Sequence, residues 1–417
     1  MNTKHIMTMA AAGLALCGAA CAAEGEPQAG DILEGINMFT PEDGNPAYKV
    51  TANERYGTQW AVDLAYAYWG VHRSEGDHEL RGKHHNYALL HAQLNQRLIS
   101  DSVNGGTWLR AEFSGSWGLD KRSAHSDEDL IGSFGSTTGI HGDLFGSHQG
   151  GLPELALMQY LQGKRLCVIG GVVNLTNYFD AVSIANDSFS GFTNTGLMNS
   201  TVVPLPDSNL GVVVQRELGK RDYVMLAASR TGCACCEGQD PFASKNKDGY
   251  VLVGEYGHLF GDGEATLRLT PFYQRFDSKV YGENHHNAGI GASIEWNACE
   301  RATLYTRAGI ASKQQWGNTA ELSVGGNFKL LPTREDDFFG IAAGVFKGQA
   351  PYGAWDEETE EPLGGQNHRR EYVVEVMYSL QLTDYCKVVP HYQYISRPSG
   401  AAISDESLFG AQVVFSF

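Results

Sequence analysis

The clearest structural signal in the chain is its last stretch, LFGAQVVFSF at residues 408–417. Counting back in twos from the final residue gives an apolar row: Phe417, Phe415, Val413, Ala411 and Phe409. A period of two is that of a β-strand with one apolar face. In a transmembrane barrel the last strand pairs with the first and leaves no free edge. The pattern therefore favours a barrel, while ten alternating residues alone leave a soluble β-rich domain as the alternative.

Composition strengthens the barrel interpretation. The chain has 417 residues, of which 19% are charged and 11% aromatic, and it contains 50 glycines. Its only long apolar run, near the amino terminus, is shorter than the roughly 20 residues that a spanning helix needs. Only helices and closed barrels satisfy their backbone polar groups in lipid, so a membrane protein with this sequence must be a barrel.

The amino terminus has the features of an export signal. Lys4 precedes an apolar run at 6–20, and Ala20-Cys21-Ala22 forms a small-residue cleavage site. Residues 1–22 are therefore predicted to be a signal peptide, with acylation of Cys21 as the rival interpretation. Residues 23–57 are predicted to form a periplasmic extension with one short helix around 32–39. The expected location is the cell outer membrane.

The net charge of −17 excludes one class of partner. The chain has no basic patch that could neutralise phosphates, so nucleic-acid binding is not expected. The acidity is compatible with a cation-favouring lumen or with solvated surface loops.

Alternation recurs along the whole chain and predicts an all-β transmembrane antiparallel barrel at 58–417. The predicted strands are 58–69, 86–99, 105–118, 153–161, 164–175, 209–217, 221–230, 249–257, 264–276, 287–298, 301–311, 319–330, 336–347, 369–382, 385–397 and 407–417. Sixteen is an even number, as single-chain outer-membrane barrels require. Short connections alternate with longer ones, the pattern of periplasmic turns and extracellular loops.

Side-chain phase indicates a water-filled interior. In the segment 264–276, Arg268 shares a face with other polar residues opposite leucines and a tyrosine. An Arg or Lys at the lipid midplane would cost about 2 to 4 kcal/mol, so these polar faces are predicted to point inward.

Several motifs resemble those of the carbohydrate-selective porin family, the OprB family. They include Pro153–Tyr160, Gly163–Gly171, Tyr178–Ala181, the Thr333–Asp337 turn, Glu371–Tyr378 and the Pro390–Gly400 segment before the terminal Phe417. The last part of the chain carries the most specific resemblance, whereas the family's amino-terminal Trp-Gly-Gly segment has no clear counterpart.

The resemblance implies passive diffusion of mono- or small oligosaccharides through a polar lumen, with no cofactor. A general or organic-acid-selective porin is the alternative. The implied partners are carbohydrate solutes, outer-membrane lipids and lipopolysaccharide, and the resemblance leaves a homotrimer open. No phosphate-binding loop, nucleophile elbow or zinc-protease helix is present in the sequence, so an enzyme is not expected.

The long connection at 176–208 is the predicted constriction, because structureless loops of this length are usually functional. Asp180, Asn186, Asp187 and Asn194 are its candidate solute-binding residues. On the wall facing it, Arg110, Glu112, Arg268 and Arg307 are predicted to set up a transverse field, and Trp108 to offer a stacking surface. No metal site is predicted; Cys233, Cys235 and Cys236 favour a disulfide of undetermined pairing.

Overall fold

A computed structural model of the chain shows a closed antiparallel barrel. It describes residues 31–38, 52–53, 55–74, 84–119, 136, 138–142, 148–231, 249–261, 263–278, 282–312, 318–348, 355–356, 361–362, 370–398 and 405–417. The predicted signal peptide and the three cysteines at 233–236 lie outside these residues. No helix in the described ranges is long and apolar enough to cross a membrane.

The predicted fold is confirmed, with sixteen barrel strands in the described chain. They are β1 (Thr58–Ser74), β2 (His84–Ile99), β3 (Thr107–Gly118), β4 (His148–Leu161), β5 (Leu166–Val173), β6 (Asn209–Glu217), β7 (Asp222–Arg230), β8 (Gly249–Phe260), β9 (Ala265–Ser278), β10 (Gly282–Cys299), β11 (Ala302–Ala311), β12 (Asn318–Phe328), β13 (Phe338–Gly348), β14 (Glu371–Thr383), β15 (Cys386–Ser396) and β16 (Glu406–Ser416). The described residues also include two α-helices, α1 (Asp31–Asn37) and α2 (Thr195–Met198), a 3₁₀ turn at Leu175–Asn177, and a separate two-residue strand pair, Trp355–Asp356 with Glu361–Pro362.

The barrel closes between its first and last strands. Asp63 of β1 lies opposite Ser416 of β16, and the pairing continues along both strands to Ser74 and Glu406. Val62 and the terminal Phe417 exchange two backbone hydrogen bonds, of 3.0 and 2.8 Å. The chain terminus is therefore part of the ladder, as the alternation at 408–417 predicts.

The two faces of the wall differ as expected for a barrel in lipid. Large apolar side chains are exposed on the outside, including Leu64, Leu157, Leu226, Leu252, Ile294, Ile310, Leu322 and Phe409. Arginine, glutamate, glutamine and histidine side chains occupy inward positions on the same strands and are buried or half-buried. Side-chain alternation alone thus separates a lipid-facing surface from a polar interior.

The predicted alternation of connections is modified at one place. The sequence indicates a loop at 277–286, but β9 and β10 continue pairing there, with Ser278 opposite Gly282. The extra pairing satisfies backbone groups that a longer loop would leave to water. The connection is consequently one of the shortest on the extracellular side.

The predicted Arg-x-x-Asp turn ties three strands together at the periplasmic rim. Arg334 donates to both carboxylate oxygens of Asp337, at 2.5 and 3.1 Å, and also to the carbonyl of Gln381 at 2.5 Å. Asp337 in turn accepts the Gln381 amide at 2.9 Å. The Arg334 guanidinium holds the pKa of Asp337 below its ordinary value. The turn between β12 and β13 is thereby fastened to the end of β14.

Candidate functional site: a loop docked across the lumen

The connection between β5 and β6, residues 174–208, lies inside the barrel. Its aromatic residues Phe179, Phe189 and Phe192 are buried among inward-facing wall side chains. Asn194 caps α2 by accepting from the Gly196 amide at 3.1 Å. The loop thus crosses the lumen as a folded insert.

Six glutamates of the inner wall accept hydrogen bonds from this loop. They are Glu112 (β3), Glu154 (β4), Glu255 (β8), Glu295 (β10), Glu321 (β12) and Glu375 (β14), and none is more than 9% exposed. Their partners within the loop are Asn177, Tyr178, the Asp180 amide, Ser183, Ser200 with Thr201, and Thr193 with Asn194. We call this set the wall carboxylates.

Glu375 makes the most extensive of these contacts. It accepts the Thr193 amide at 3.0 Å, the Thr193 hydroxyl at 2.9 Å and the Asn194 amide at 3.0 Å. His391 of the neighbouring strand lies 2.9 Å from the same carboxylate. A buried carboxylate needs such donors, and buried amides need such an acceptor. Each side therefore holds the other in place.

Arg110 joins the loop to a second insert. Its guanidinium pairs with Glu154 at 2.9 Å, lies over the Tyr178 ring at 5.4 Å and donates to the Asn37 carbonyl at 2.9 Å. Burial raises the pKa of Tyr178 well above its ordinary value, so the phenol stays a donor. Glu112, the next inward residue, is engaged by Asn177 at 2.5 Å and by His91 at 3.2 Å.

Arg307 is enclosed by the loop in the same way. It pairs with Asp180 at 2.6 Å and donates to the carbonyls of Leu197 and Met198 at 3.2 and 2.9 Å. Its side chain is fully buried. The carbonyls at the end of α2 thus receive a cation, which is the favourable sign at a helix carboxyl terminus.

The burial of these residues corrects two expectations. Arg110 and Arg307 do not face carboxylates across an open pore, because nearby carboxylates neutralise both and the inserts cover them. Trp108 is only 7% exposed, and its indole donates to the Gly105 carbonyl at 3.0 Å. It packs among the apolar residues that surround α1, so it is not a free stacking surface.

The other predicted loop residues have internal partners. Asp187 accepts the Phe189 and Ser190 amides at 2.9 and 3.3 Å, which shapes the turn. The Asn186 amide lies 2.8 Å from the Met198 carbonyl. Asn186 therefore ties the first half of the loop to α2.

Helix α1 is the second insert, and it lies against the wall from β2 to β6. Its Leu33 amide donates to Glu217 at 3.0 Å and its Asn37 side chain to Gln215 at 2.6 Å. Lys164 pairs with Glu34 at 2.7 Å. The helix that the sequence predicts at 32–39 is thus found inside the wall at its periplasmic end.

Small residues make room for the loop on the opposite wall. A Cβ atom at Gly291 would lie 2.6 Å from Val203, and one at Gly309 would lie 2.9 Å from Val202. A contact that close would force the loop away from the wall. These glycines therefore allow the loop to approach the wall closely. Their role does not depend on an unusual backbone angle.

Part of the loop stays accessible along one edge. Ser183 and Asp187 are exposed, and Ser190 accepts from Lys387 at 2.6 Å. Asp63 of β1 is half-buried, with Asp187 and Lys387 among the charges that act on it. We call these five residues the polar edge. Among the predicted loop residues, only Asp187 lies near accessible charges of both signs.

Arg268 occupies a second half-buried polar position, beside the loop. Its guanidinium lies 3.5 Å from Glu295, which also accepts the Ser183 amide at 3.2 Å. Arg268 is therefore the predicted wall arginine that remains nearest to the accessible surface of the loop. Within the described residues, no group of three histidine, cysteine or acidic side chains is arranged to hold a metal ion.

Among the six wall carboxylates, only Glu112 is a candidate from sequence; the other five are Glu154, Glu255, Glu295, Glu321 and Glu375. The available signal was an acidic residue at an inward position of each strand. These acidic residues cannot be recognised as a set from sequence, because the loop to which all of them bind is remote from most of them in sequence.

The chain and its fold match known proteins. The model of the family "Carbohydrate-selective porin, OprB family" matches residues 263–417. The high-pH structure of Pseudomonas putida OprB aligns with a TM-score of 0.70 at 15% identity, covering 89% of this chain and 96% of that chain. The outer-membrane channel DcaP of Acinetobacter baumannii aligns with a TM-score of 0.56 at 10% identity, covering 86% and 97%. None of the curated proteins compared with the chain matches it.

A closed barrel with a loop folded into its lumen is the architecture of outer-membrane porins. Residues 263–417, a little over a third of the chain, match the carbohydrate-selective porin model, so this part of the chain resembles the OprB family. At these low identities the structural likenesses concern the fold alone.

Replacing Glu375 with alanine is expected to release the loop. The change leaves the buried Thr193 and Asn194 amides without an acceptor, at about 1 to 3 kcal/mol each. Chymotrypsin, which can cut at Phe189 and Phe192, should then cleave the loop about tenfold faster or more. Glu335→Ala in an exposed periplasmic turn is the matched control. Cleavage of Glu375→Ala at the parent rate would contradict the anchoring role.

Proposed function

We propose that the chain passes mono- and small oligosaccharides down their gradients along the polar edge of the docked loop. The observation that carries this proposal is the position of the loop, which crosses the lumen and leaves Ser183, Asp187 and Ser190 accessible. Hydroxyls and carboxylates there can exchange hydrogen bonds with the hydroxyls of a sugar. Nothing in such passage requires energy coupling.

The polar edge favours neutral solutes over organic anions. Lys387 has two carboxylates near it, Asp63 and Asp187, so the edge is acidic on balance. Like charges disfavour an organic acid, whereas a sugar hydroxyl can either donate or accept. The organic-acid porin is therefore the weaker candidate.

The His91 ring adds an apolar surface beside the edge. It stacks on Phe189, with the ring centroids 6.0 Å apart and the planes 21° from parallel. Sugars present C–H faces as well as hydroxyls, and sites that bind them combine aromatic surfaces with a few polar groups. Phe189 itself is buried and supports the ring from behind, so the half-buried His91 ring, rather than Trp108, is our candidate for contact with the sugar ring.

Helix α1 narrows the periplasmic side in this proposal. It occupies the β2–β6 side of the lumen, whereas Asp63 and Lys387 belong to β1 and β15. Solutes would leave the channel on the side that the helix does not cover. Export through the signal peptide at 1–22 stays a prediction, as does the homotrimer as an alternative to a monomer.

Replacing Ser183 with tryptophan tests the route. Ser183 is exposed, so the larger ring would extend into the proposed path, and the bond to Glu295 that it loses is equally lost in the control variant. Liposome swelling should slow more for a disaccharide than for a monosaccharide. Ser183→Ala is the matched control, because it removes the hydroxyl bond to Glu295 without adding bulk.

Two outcomes of the swelling assay would contradict the proposal. Equal rates for Ser183→Trp and Ser183→Ala would place the route elsewhere. Faster entry of a small organic acid than of a neutral sugar of similar size would favour the alternative porin.

Replacing Leu33 with aspartate is expected to displace helix α1. Leu33 is buried among apolar wall residues, and an unpaired carboxylate there is strongly unfavourable. Single-channel conductance in planar bilayers should rise. Gly35→Asp adds the same charge at an exposed position of the same helix and should leave conductance near the parent value. A conductance of Leu33→Asp equal to that of Gly35→Asp would show that the helix does not narrow the channel.

A further inference from the structure

A row of cationic and aromatic residues crosses the outside of the barrel at its extracellular rim. Arg230 of β7 lies opposite Tyr250 of β8, which lies opposite Arg275 of β9, which lies opposite His286 of β10. The four residues form one register row on four adjacent strands near their extracellular ends. Because barrel strands are tilted, this row runs obliquely around the rim. We call them the rim row.

The phase of each strand turns the rim row outward. On β7 the exposed Leu226 has the same parity as Arg230, and on β8 the exposed Leu252 has the same parity as Tyr250. On β9 the exposed Pro271 has the same parity as Arg275, and on β10 the exposed Ile290 has the same parity as His286. These side chains therefore emerge on the lipid side of the wall, just above its apolar surface.

Spacing allows the two arginines to act together. Neighbouring strands lie about 4.8 Å apart, so the backbones of Arg230 and Arg275 are about 10 Å apart across Tyr250. Arginine side chains are long enough for both guanidinium groups to reach one phosphate or two adjacent ones. Guanidinium groups bind phosphate oxygens through paired hydrogen bonds.

Aromatic rings lie between the arginines and beside them. The Tyr250 and Tyr273 rings are 6.2 Å apart, and Tyr273 and His286 are 5.8 Å apart. The Tyr273 hydroxyl also bonds to the His286 ring. The surface formed by these rings and the rim row is amphipathic, as residues at a membrane interface typically are.

From the rim row toward the membrane midplane the outer surface becomes apolar and uneven. Leu226 and Leu252 are exposed by 65% and 45%, and Ile290 by 41%. Small residues, Ala228 and Ala288, lie between them and the rim row. From the rim toward the midplane the surface thus changes from cationic and aromatic to apolar.

That order matches a phosphorylated glycolipid, whose phosphates and sugar rings lie outside its acyl chains. We propose that the rim row binds a phosphorylated glycolipid of the outer leaflet, such as the lipid A part of lipopolysaccharide. The chain carries a net charge of −17, so an anionic lipid would otherwise be repelled by it. Near the interface an outward arginine costs only about 0 to 1 kcal/mol, so its place there needs little compensation.

The double variant Arg230→Gln/Arg275→Gln tests the site. Native mass spectrometry of the detergent-solubilised barrel would measure binding of diphosphorylated lipid A. Loss of charge-assisted bonds should weaken binding about tenfold or more. Arg216→Gln is the matched control, because Arg216 also points outward but lies at the periplasmic end of β6. It should bind as the parent does.

Two further binding measurements identify the chemistry of the ligand. Dephosphorylated lipid A should bind weakly to the parent, and inorganic phosphate should not displace the intact glycolipid at equal concentration. Arg230→Lys/Arg275→Lys keeps both charges and should retain more binding than the glutamine pair, which separates charge loss from damage to the fold.

Several results would overturn the proposal. Parent-level binding by the glutamine pair would exclude the rim row, and equal weakening by Arg216→Gln would make the attraction nonspecific. Equal binding of dephosphorylated lipid A would remove the role of phosphate, and full displacement by inorganic phosphate would make the site one for free anions. Because each readout is lipid binding, failure here leaves the sugar-transport proposal intact.

Discussion

A carboxylate enclosed by protein must receive hydrogen-bond donors, and the interior of this barrel is built around that requirement. Six wall glutamates face inward, and each accepts at least one backbone amide, hydroxyl or side-chain amide from the loop between β5 and β6. Because the donors are backbone groups as well as side chains, the anchoring fixes the path of the chain itself. Arg110 and Arg307 balance part of this negative charge from the wall.

The barrel makes such anchoring rigid. Pairing between β1 and β16 closes the ring, so the wall carboxylates sit at fixed positions around the lumen. A loop held at six points on a rigid frame has little freedom to leave its place. Functional side chains on the accessible edge are therefore positioned by contacts on the buried face, as porin-like selectivity requires.

Much of the fold could be predicted from sequence because a strand repeats every two residues and lipid penalises misplaced charge. Strand phase also placed Arg268 and Glu112 correctly on the inner wall. Phase cannot show what covers an inward residue, however, and this is why Trp108 and Arg307 were expected to be open to solute. Their burial depends on α1 and α2, whose docking joins residues more than 70 positions apart in sequence. The wall carboxylates other than Glu112 were missed for the same reason.

Hydrogen–deuterium exchange measured by mass spectrometry tests the docked loop most directly, because it reports on the amides that the wall carboxylates accept. Peptides covering 193–201 should exchange as slowly as those of the barrel strands, since the Thr193, Asn194 and Thr201 amides are bonded to buried carboxylates. Exchange of these peptides at the rate of an exposed surface loop would contradict the account.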